Sequence, residues 1–293
     1  LTKSIFTSSA AIAIAGLAAP AAADERQTVL EPSSRWHVDF APNKCRLGRG
    51  FGDAENLHVL FLDQHYPSSQ AAMTLSGPSF QRFKSRASTS LFYSSDQEPK
   101  DTKPFKGDLG KYGPALVFSA VSFKTETEGD EESESSSLSQ LDIDSAAEAE
   151  FIAVKQGSRS VRLETGSLGD AFKVLNQCTQ GLIEEWGLDV DKHMTAQTMP
   201  KWKNQKRIVR RIIQTYPQLA LNLGEQGIFR IRVMIDEAGA VTDCVINEVT
   251  AADNLDSPAC AQMKNAKFAP ALDKEGKPFP SYFATSIVYR MIG

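Results

Sequence analysis

The sequence predicts an α+β protein of two units. The first is mainly β and closed by a helix; the second sets two helices on a three-stranded antiparallel sheet. Three observations carry this expectation. Short apolar or alternating runs, separated by Gly, Ser and Pro, recur from residue 35 to residue 164. One stretch with a helical period follows at 168–187. From Tyr216 onward, helix, hairpin, helix and strand signals succeed one another, the order of a two-layer α+β unit. Charge divides the chain near the same place, with a net of −8 over residues 1–195 and +4 over 196–293. Two units with different surfaces account for that asymmetry. At 293 residues, 41 % hydrophobic and 23 % charged, the chain is long enough to bury two cores.

Residues 1–23 read as an export signal. Lys3 precedes the small and apolar run "AAIAIAGLAA" at 10–19, and Ala21-Ala22-Ala23 precedes Asp24. This is the n-region, h-region and A-x-A order of a secretory signal peptide, so cleavage is expected between Ala23 and Asp24. The competing reading is an uncleaved anchor, but no apolar run reaches the roughly 18 residues of a membrane-spanning helix. Export sets the compartment of four cysteines, Cys45, Cys178, Cys244 and Cys260, none in a C-x-x-C pair. Two structural disulfides are expected. The histidines (His37, His58, His65, His193) are scattered with no ligand cluster, so neither a metal nor another cofactor is expected.

The first unit spans 24–195. Its strand runs are "RWHVDF", "NLHVLFLDQ", "AAMTLS", "ALVFSAVSF", "FIAVKQ" and "SVRLE". "GRGFG" at 48–52 lacks the G-x-G-x-x-G spacing and reads as a turn after Cys45. "TETEGDEESESSS" at 125–137 holds no apolar residue and reads as the start of a disordered acidic loop over 125–150. It lacks the alternating ligands of a calcium loop. In "LGDAFKVLNQCTQGLIEEWG", Leu168, Phe172, Leu175, Leu182 and Trp186 fall on one helical face and Gly187 ends the run. Cys178 shares that face. Its pairing with Cys45 would close a loop of over 130 residues, worth roughly 5 kcal/mol in the chain-entropy model.

Residues 196–215 read as a basic linker or helix. Six residues between Lys201 and Arg211 are basic and none is acidic, while Ile208, Val209, Ile212 and Ile213 form an apolar stripe. Such a helix could lie on an anionic surface; docking of the stripe on the next unit is the favoured reading.

The second unit spans 216–293. "YPQLALNLG" is a short helix with Pro217 at its first position and Gly224 at its end. "GIFRIRVMIDEAGAVTDCVINEV" is a hairpin with Gly239 in its turn. It sets Phe229, Ile231, Val233 and Ile235 on one side and Arg230 and Arg232 on the other. "LDSPACAQMKNAKF" is a second helix with Ala259, Cys260, Met263 and Ala266/Lys267 along one face, and "SYFATSIVYRM" is the last strand. Cys244 on the hairpin and Cys260 on the covering helix are placed for a disulfide closing about 15 residues, worth roughly 3 kcal/mol.

The residues of this second unit resemble the TonB C-terminal domain family. The resemblance rests on Tyr216-Pro217, the hairpin from Gly227 to Val241, Leu255-Asp256, "FAPA" at 268–271 and "GKP" at 276–278, in the family's order. It covers 216–291 and implies a binding module, one that grips an extended peptide, the TonB box of outer-membrane transporters, by adding it beside the last strand. The edge so implied is Tyr282 to Tyr289: Phe283, Thr285, Ile287 and Tyr289 facing the core, and Tyr282, Ala284, Ser286 and Val288 facing away.

Function is therefore expected from a periplasmic interaction protein whose partner is an outer-membrane transporter peptide, another envelope protein or peptidoglycan. A membrane-anchored energy transducer is the alternative, and needs residues 1–23 retained. Catalysis in the first unit is a further alternative. It lacks G-x-S-x-G, H-E-x-x-H and a Cys–His nucleophile pair, and would require His58 or His65 gathered with Asp63 in a pocket. Export and net acidity argue against nucleic acid.

Overall fold

The computed structural model describes residues 26–124, 137–250 and 253–289. The expected leader, its cleavage point at Ala23 and Asp24, and residues 125–136 of the acidic tract lie outside them.

The first unit opens with β1 (Arg26–Leu30), β2 (His37–Ala41) and β3 (Lys44–Phe51). Next come β4 (His58–Gln64), β5 (Ala71–Ser76) and β6 (Thr89–Phe92). β7 (Lys100–Thr102), β8 (Phe105–Asp108) and β9 (Pro114–Val121) follow. Helix α1 (Ile143–Ala147) leads into β10 (Ile152–Gln156), β11 (Arg159–Leu163), the long α2 (Gly169–Glu185) and α3 (Val190–Met194). The strands form a six-stranded sheet, β2-β3-β4-β5-β9-β8, and a five-stranded sheet, β1-β11-β10-β6-β7, with β1 parallel to β11. All six strand runs read from the sequence are present. One buried core, including Leu47, Leu60, Met73, Leu116, Ile152, Val161 and Phe172, joins both sheets to α2.

Two expectations are corrected here. Residues 48–51 are not a turn but the end of β3, paired with β4 from Phe51↔His58 to Gly48↔Phe61. The glycines belong in the strand because space is short: a Cβ on Gly48 would lie 2.8 Å from the Phe61 ring, which stacks there against Arg46. The turn begins only at Gly52, with φ +79°. Within the loop expected over 125–150, residues 137–150 are folded. Asp142 caps α1 by accepting from the Ser145 N–H, and Leu138, Leu141 and Ala146 are buried. The acidic composition of the tract hid these spaced apolar residues.

Helix α2 buries Phe172, Leu175, Cys178 and Leu182, as its period requires. The Cys45–Cys178 disulfide bolts it to β3. After the helix, Gly187 takes a left-handed φ of +75° that an L side chain would resist.

The second unit begins with β12 (Lys201–Trp202), α4 (Gln205–Gln214) and α5 (Gln218–Leu223). Then come β13 (Gly227–Ile235), β14 (Val241–Glu248) and α6 (Ala259–Met263). Short strands β15 (Phe268–Ala269), β16 (Ala271–Leu272) and β17 (Pro278–Phe279) precede β18 (Ser281–Tyr289). The main sheet is antiparallel, in the order β14-β13-β18. Its core side, Phe229, Ile231, Val233 and Ile235, packs on Ala220, Ala259 and Met263. The Cys244–Cys260 disulfide ties β14 to α6.

This unit starts before Tyr216. Trp202 pairs with Phe268, and Ile208 and Ile212 of α4 are buried in the same core. The basic stretch is thus a docked helix rather than a linker, and the Ile stripe explains why. Two local details also differ from expectation: Pro217 is the N-cap of α5, not its first residue, and α6 ends at Met263, so Lys267 is exposed while Ala266 is buried. In the hairpin turn, the Asp236 carboxylate accepts from the N–H groups of Ala238 and Ala240, and Gly239 has φ +80°.

Candidate functional site

The three-stranded sheet has two edge strands, β14 and β18, and β18 pairs with β13 alone. Which of its backbone groups face outward follows from antiparallel alternation. Ile228 of β13 donates its N–H to Thr250 Oγ1 at 2.9 Å and accepts from the Val249 N–H at 2.8 Å, both on the β14 side. Its β18 partner is Val288. Because main-chain groups alternate in direction along a strand, Tyr282, Ala284, Ser286 and Val288 turn their N–H and C=O away from β13. Among the described residues none of these outward groups has a hydrogen-bond partner. Phe283, Thr285, Ile287 and Tyr289 instead exchange bonds with β13.

The side chains alternate with the same period. Phe283, Ile287 and Tyr289 lean on the helix-covered core, with Tyr289 edge-on to Tyr216 and Phe229. On the other face Tyr282, Ala284 and Ser286 lie against the first unit. Tyr282 is buried, its ring 5.0 Å from Trp186 and stacked 5.7 Å from His193. Ser286 Oγ lies 3.4 Å from the Tyr66 hydroxyl. Below them, Arg230 is buried and donates to the Ser119 carbonyl. Arg232 places its guanidinium 4.0 Å over the Trp186 ring, while its buried Nε has no hydrogen-bond partner. Burial lowers the pKa of both arginines from the usual value.

At the start of β18 the anchoring group is His193 of α3, fully buried. Its Nδ1 donates to the Asp189 carbonyl at 2.6 Å, which leaves Nε2 to accept from the Ser281 hydroxyl at 2.8 Å. Burial holds this imidazole below its ordinary pKa and so keeps it neutral, the state the Ser281 bond needs. The first unit therefore fixes where the rim begins and braces its inner face, yet pairs with none of its outward backbone groups.

Beside the start of the rim, at Tyr282 to Ala284, lies an open groove of about 270 Å³, lined also by Tyr66, Pro67, Leu138 and Met199, with no charged side chain. All eight predicted edge residues lie on β18, where Tyr282 and Tyr289 are buried and the other six partly exposed. Sequence reasoning missed the other wall of the groove, which comes from residues 66–69, 138–139 and 199–200.

The residues named for a catalytic reading are only partly gathered. His65 and Asp63 line a water-sized cavity of about 30 Å³ with Arg230 and Gln64. His65 is pushed down to about 4, chiefly by burial and then by Arg230 and Lys44, with Asp63 opposing. Asp63 is committed to Arg46 through two bonds of 2.6 and 2.7 Å. His58 lies apart, its Nδ1 donating to the Asn56 carbonyl and its Nε2 accepting from the Ser79 N–H. Asp63 and His58 are thus held by their neighbours, while His65 Nδ1 lies 3.2 Å from the Asn43 carbonyl. Among the described residues no helix is long and apolar enough to cross a membrane.

Residues 214–291 match a family described as the Gram-negative bacterial TonB protein C-terminal, a little over a quarter of the chain. A comparison with curated proteins finds no match. Residues 214–291 thus carry the TonB C-terminal domain named by the sequence resemblance, which implies a TonB-like protein-interaction role, and the β14-β13-β18 sheet with α5 and α6 lies within the matched segment.

Proposed function

We propose that this protein is an exported, periplasmic interaction protein that captures an extended peptide by strand addition along β18. The peptide would come from an outer-membrane transporter or another envelope protein. The observation that carries this reading is the row of unpaired outward groups on Tyr282, Ala284, Ser286 and Val288. An exposed strand edge is a template for pairing, and proteins that do not use such an edge blunt it with charge, proline or a cover. No charged or proline residue occurs between Ser281 and Tyr289. The uncharged groove beside it suits apolar or small hydroxyl side chains and disfavours acidic or basic ones, because a charge there would lose water without gaining a partner.

The two disulfides fit an oxidising compartment such as the periplasm. The first unit acts as a brace: it packs on the second face of the sheet at Tyr282, Ala284 and Ser286, so β18 is presented rigidly and little ordering cost remains for the incoming strand.

The test is a titration of the full chain with a TonB-box peptide, comparing the unaltered protein with Ala284→Pro. Proline removes one outward N–H and obstructs the rim, yet leaves the β13 ladder intact, because Ala284 does not donate to β13. Binding should weaken at least tenfold with little change in melting temperature. Equal binding by the variant would overturn strand addition at this edge.

A further inference from the structure

Helix α4 turns two of its isoleucines inward and everything else outward. Ile208 and Ile212 are buried, and at 100° per residue the opposite arc runs from Val209 and Ile213, through Lys206 and Arg210, to Arg207 and Arg211. The basic side of this arc borders an open groove of about 750 Å³ between α4, the end of α6 and the hairpin turn. Its charged lining is Lys203, Arg207, Arg211, Lys264 and Lys267, with no acidic side chain. Glu237 at the hairpin tip does not line it. All five cations are exposed, and among the described residues none forms an ion pair. The apolar side of the arc is exposed as well: Ile213 at 65 %, followed on α5 by Leu219 at 56 % and Leu223 at 60 %. Concentrated positive charge beside large uncovered aliphatic side chains is the composition of a surface that lies in a lipid interface. A soluble polyanion would use the charge and leave the aliphatic residues in water unexplained.

We propose that the outer face of α4 and α5 docks this protein on an anionic phospholipid surface. Headgroup phosphates enter the groove between Arg207, Arg211, Lys264 and Lys267. Ile213, Leu219 and Leu223 enter the boundary between headgroups and acyl chains. Ile208 and Ile212 keep the helix on its own core, so docking requires no unfolding. This site is separate from the β18 rim and does not depend on peptide capture there.

The experiment is co-sedimentation of the full chain with vesicles of phosphatidylcholine alone or mixed with phosphatidylglycerol. Binding should require the anionic lipid and fall as salt screens the surface. Arg207→Glu with Arg211→Glu should weaken it at least tenfold, since each cation near an anionic membrane contributes about fivefold. Ile213→Ser with Leu219→Ser should weaken it about tenfold through lost apolar burial. All four positions are exposed, so the variants should keep the unaltered protein's circular dichroism. Equal binding to neutral vesicles, or full binding by the charge-reversed variant, would overturn the proposal. So would serine variants that bind vesicles unchanged while inorganic polyphosphate competes fully, which would mark a site for soluble polyanions instead.

Discussion

Acid should loosen the seam between the two units, and His65 sets how much. Its imidazole is held at about 4 in the fold against an ordinary 6.5, mainly because it is buried, with Arg230 from the second unit as the next cause. Above pH 6.5 both folded and unfolded chains hold a neutral imidazole, and the group is silent. As the pH falls, the unfolded chain takes up a proton that the folded one refuses, so stability drops until the folded group titrates near 4. By about pH 5 this single residue should cost about 2 kcal/mol, and below pH 4 roughly 3 kcal/mol. His58 and His193, also lowered by burial, act in the same direction. Thermal melts of the unaltered protein and of His65→Gln, at about pH 7.5 and about pH 5, isolate the term. Acidification should cost the unaltered protein roughly 4–8 °C more than the variant. An equal loss in both would mean that His65 titrates at its ordinary value in water, and that the seam stands open in solution.

Further outcomes follow from the same geometry. Cys244→Ala with Cys260→Ala should destabilise the second unit by roughly 3 kcal/mol, and Cys45→Ala with Cys178→Ala the first by up to roughly 5 kcal/mol. Denaturant unfolding measures both, and no loss from either pair would show that the crosslinks do not restrict the unfolded chain. Gly239→Ala should cost roughly 2 kcal/mol or more by the same measurement, because φ is +80° and the new Cβ would lie 2.2 Å from the Phe268 carbonyl oxygen. Unchanged stability would refute that turn geometry. Mass spectrometry of protein recovered from a Gram-negative envelope should find a chain beginning at Asp24; a chain retaining residues 1–23 would favour an anchored transducer.

Much of the second unit was legible because its signals are local. The alternation in β13, the Asp-and-Gly turn and the helix stop at Gly224 each act within a few residues. The edge strand itself was named by the family resemblance, and alternation then sorts Tyr282, Ala284, Ser286 and Val288 from their neighbours. What stayed hidden depends on distant partners. Gly48 reads as a turn residue until Phe61 occupies the space where its Cβ would be. Leu138 and Leu141 are two apolar residues at the end of an acidic tract until α2 and the C-terminal sheet supply their neighbours. Arg230 and Arg232 look like a solvated face until Ser119 and Trp186 cover them. Propensity cannot report a face that another unit buries.

Amide hydrogen exchange across β18, with and without a bound TonB-box peptide, tests peptide capture most directly. In the free protein Tyr282, Ala284, Ser286 and Val288 should exchange fast while Phe283, Thr285 and Ile287, bonded to β13, are slow. Bound peptide should slow the first set and close the difference. Binding that leaves those four amides fast, or that protects the β14 edge instead, would contradict strand addition at this rim.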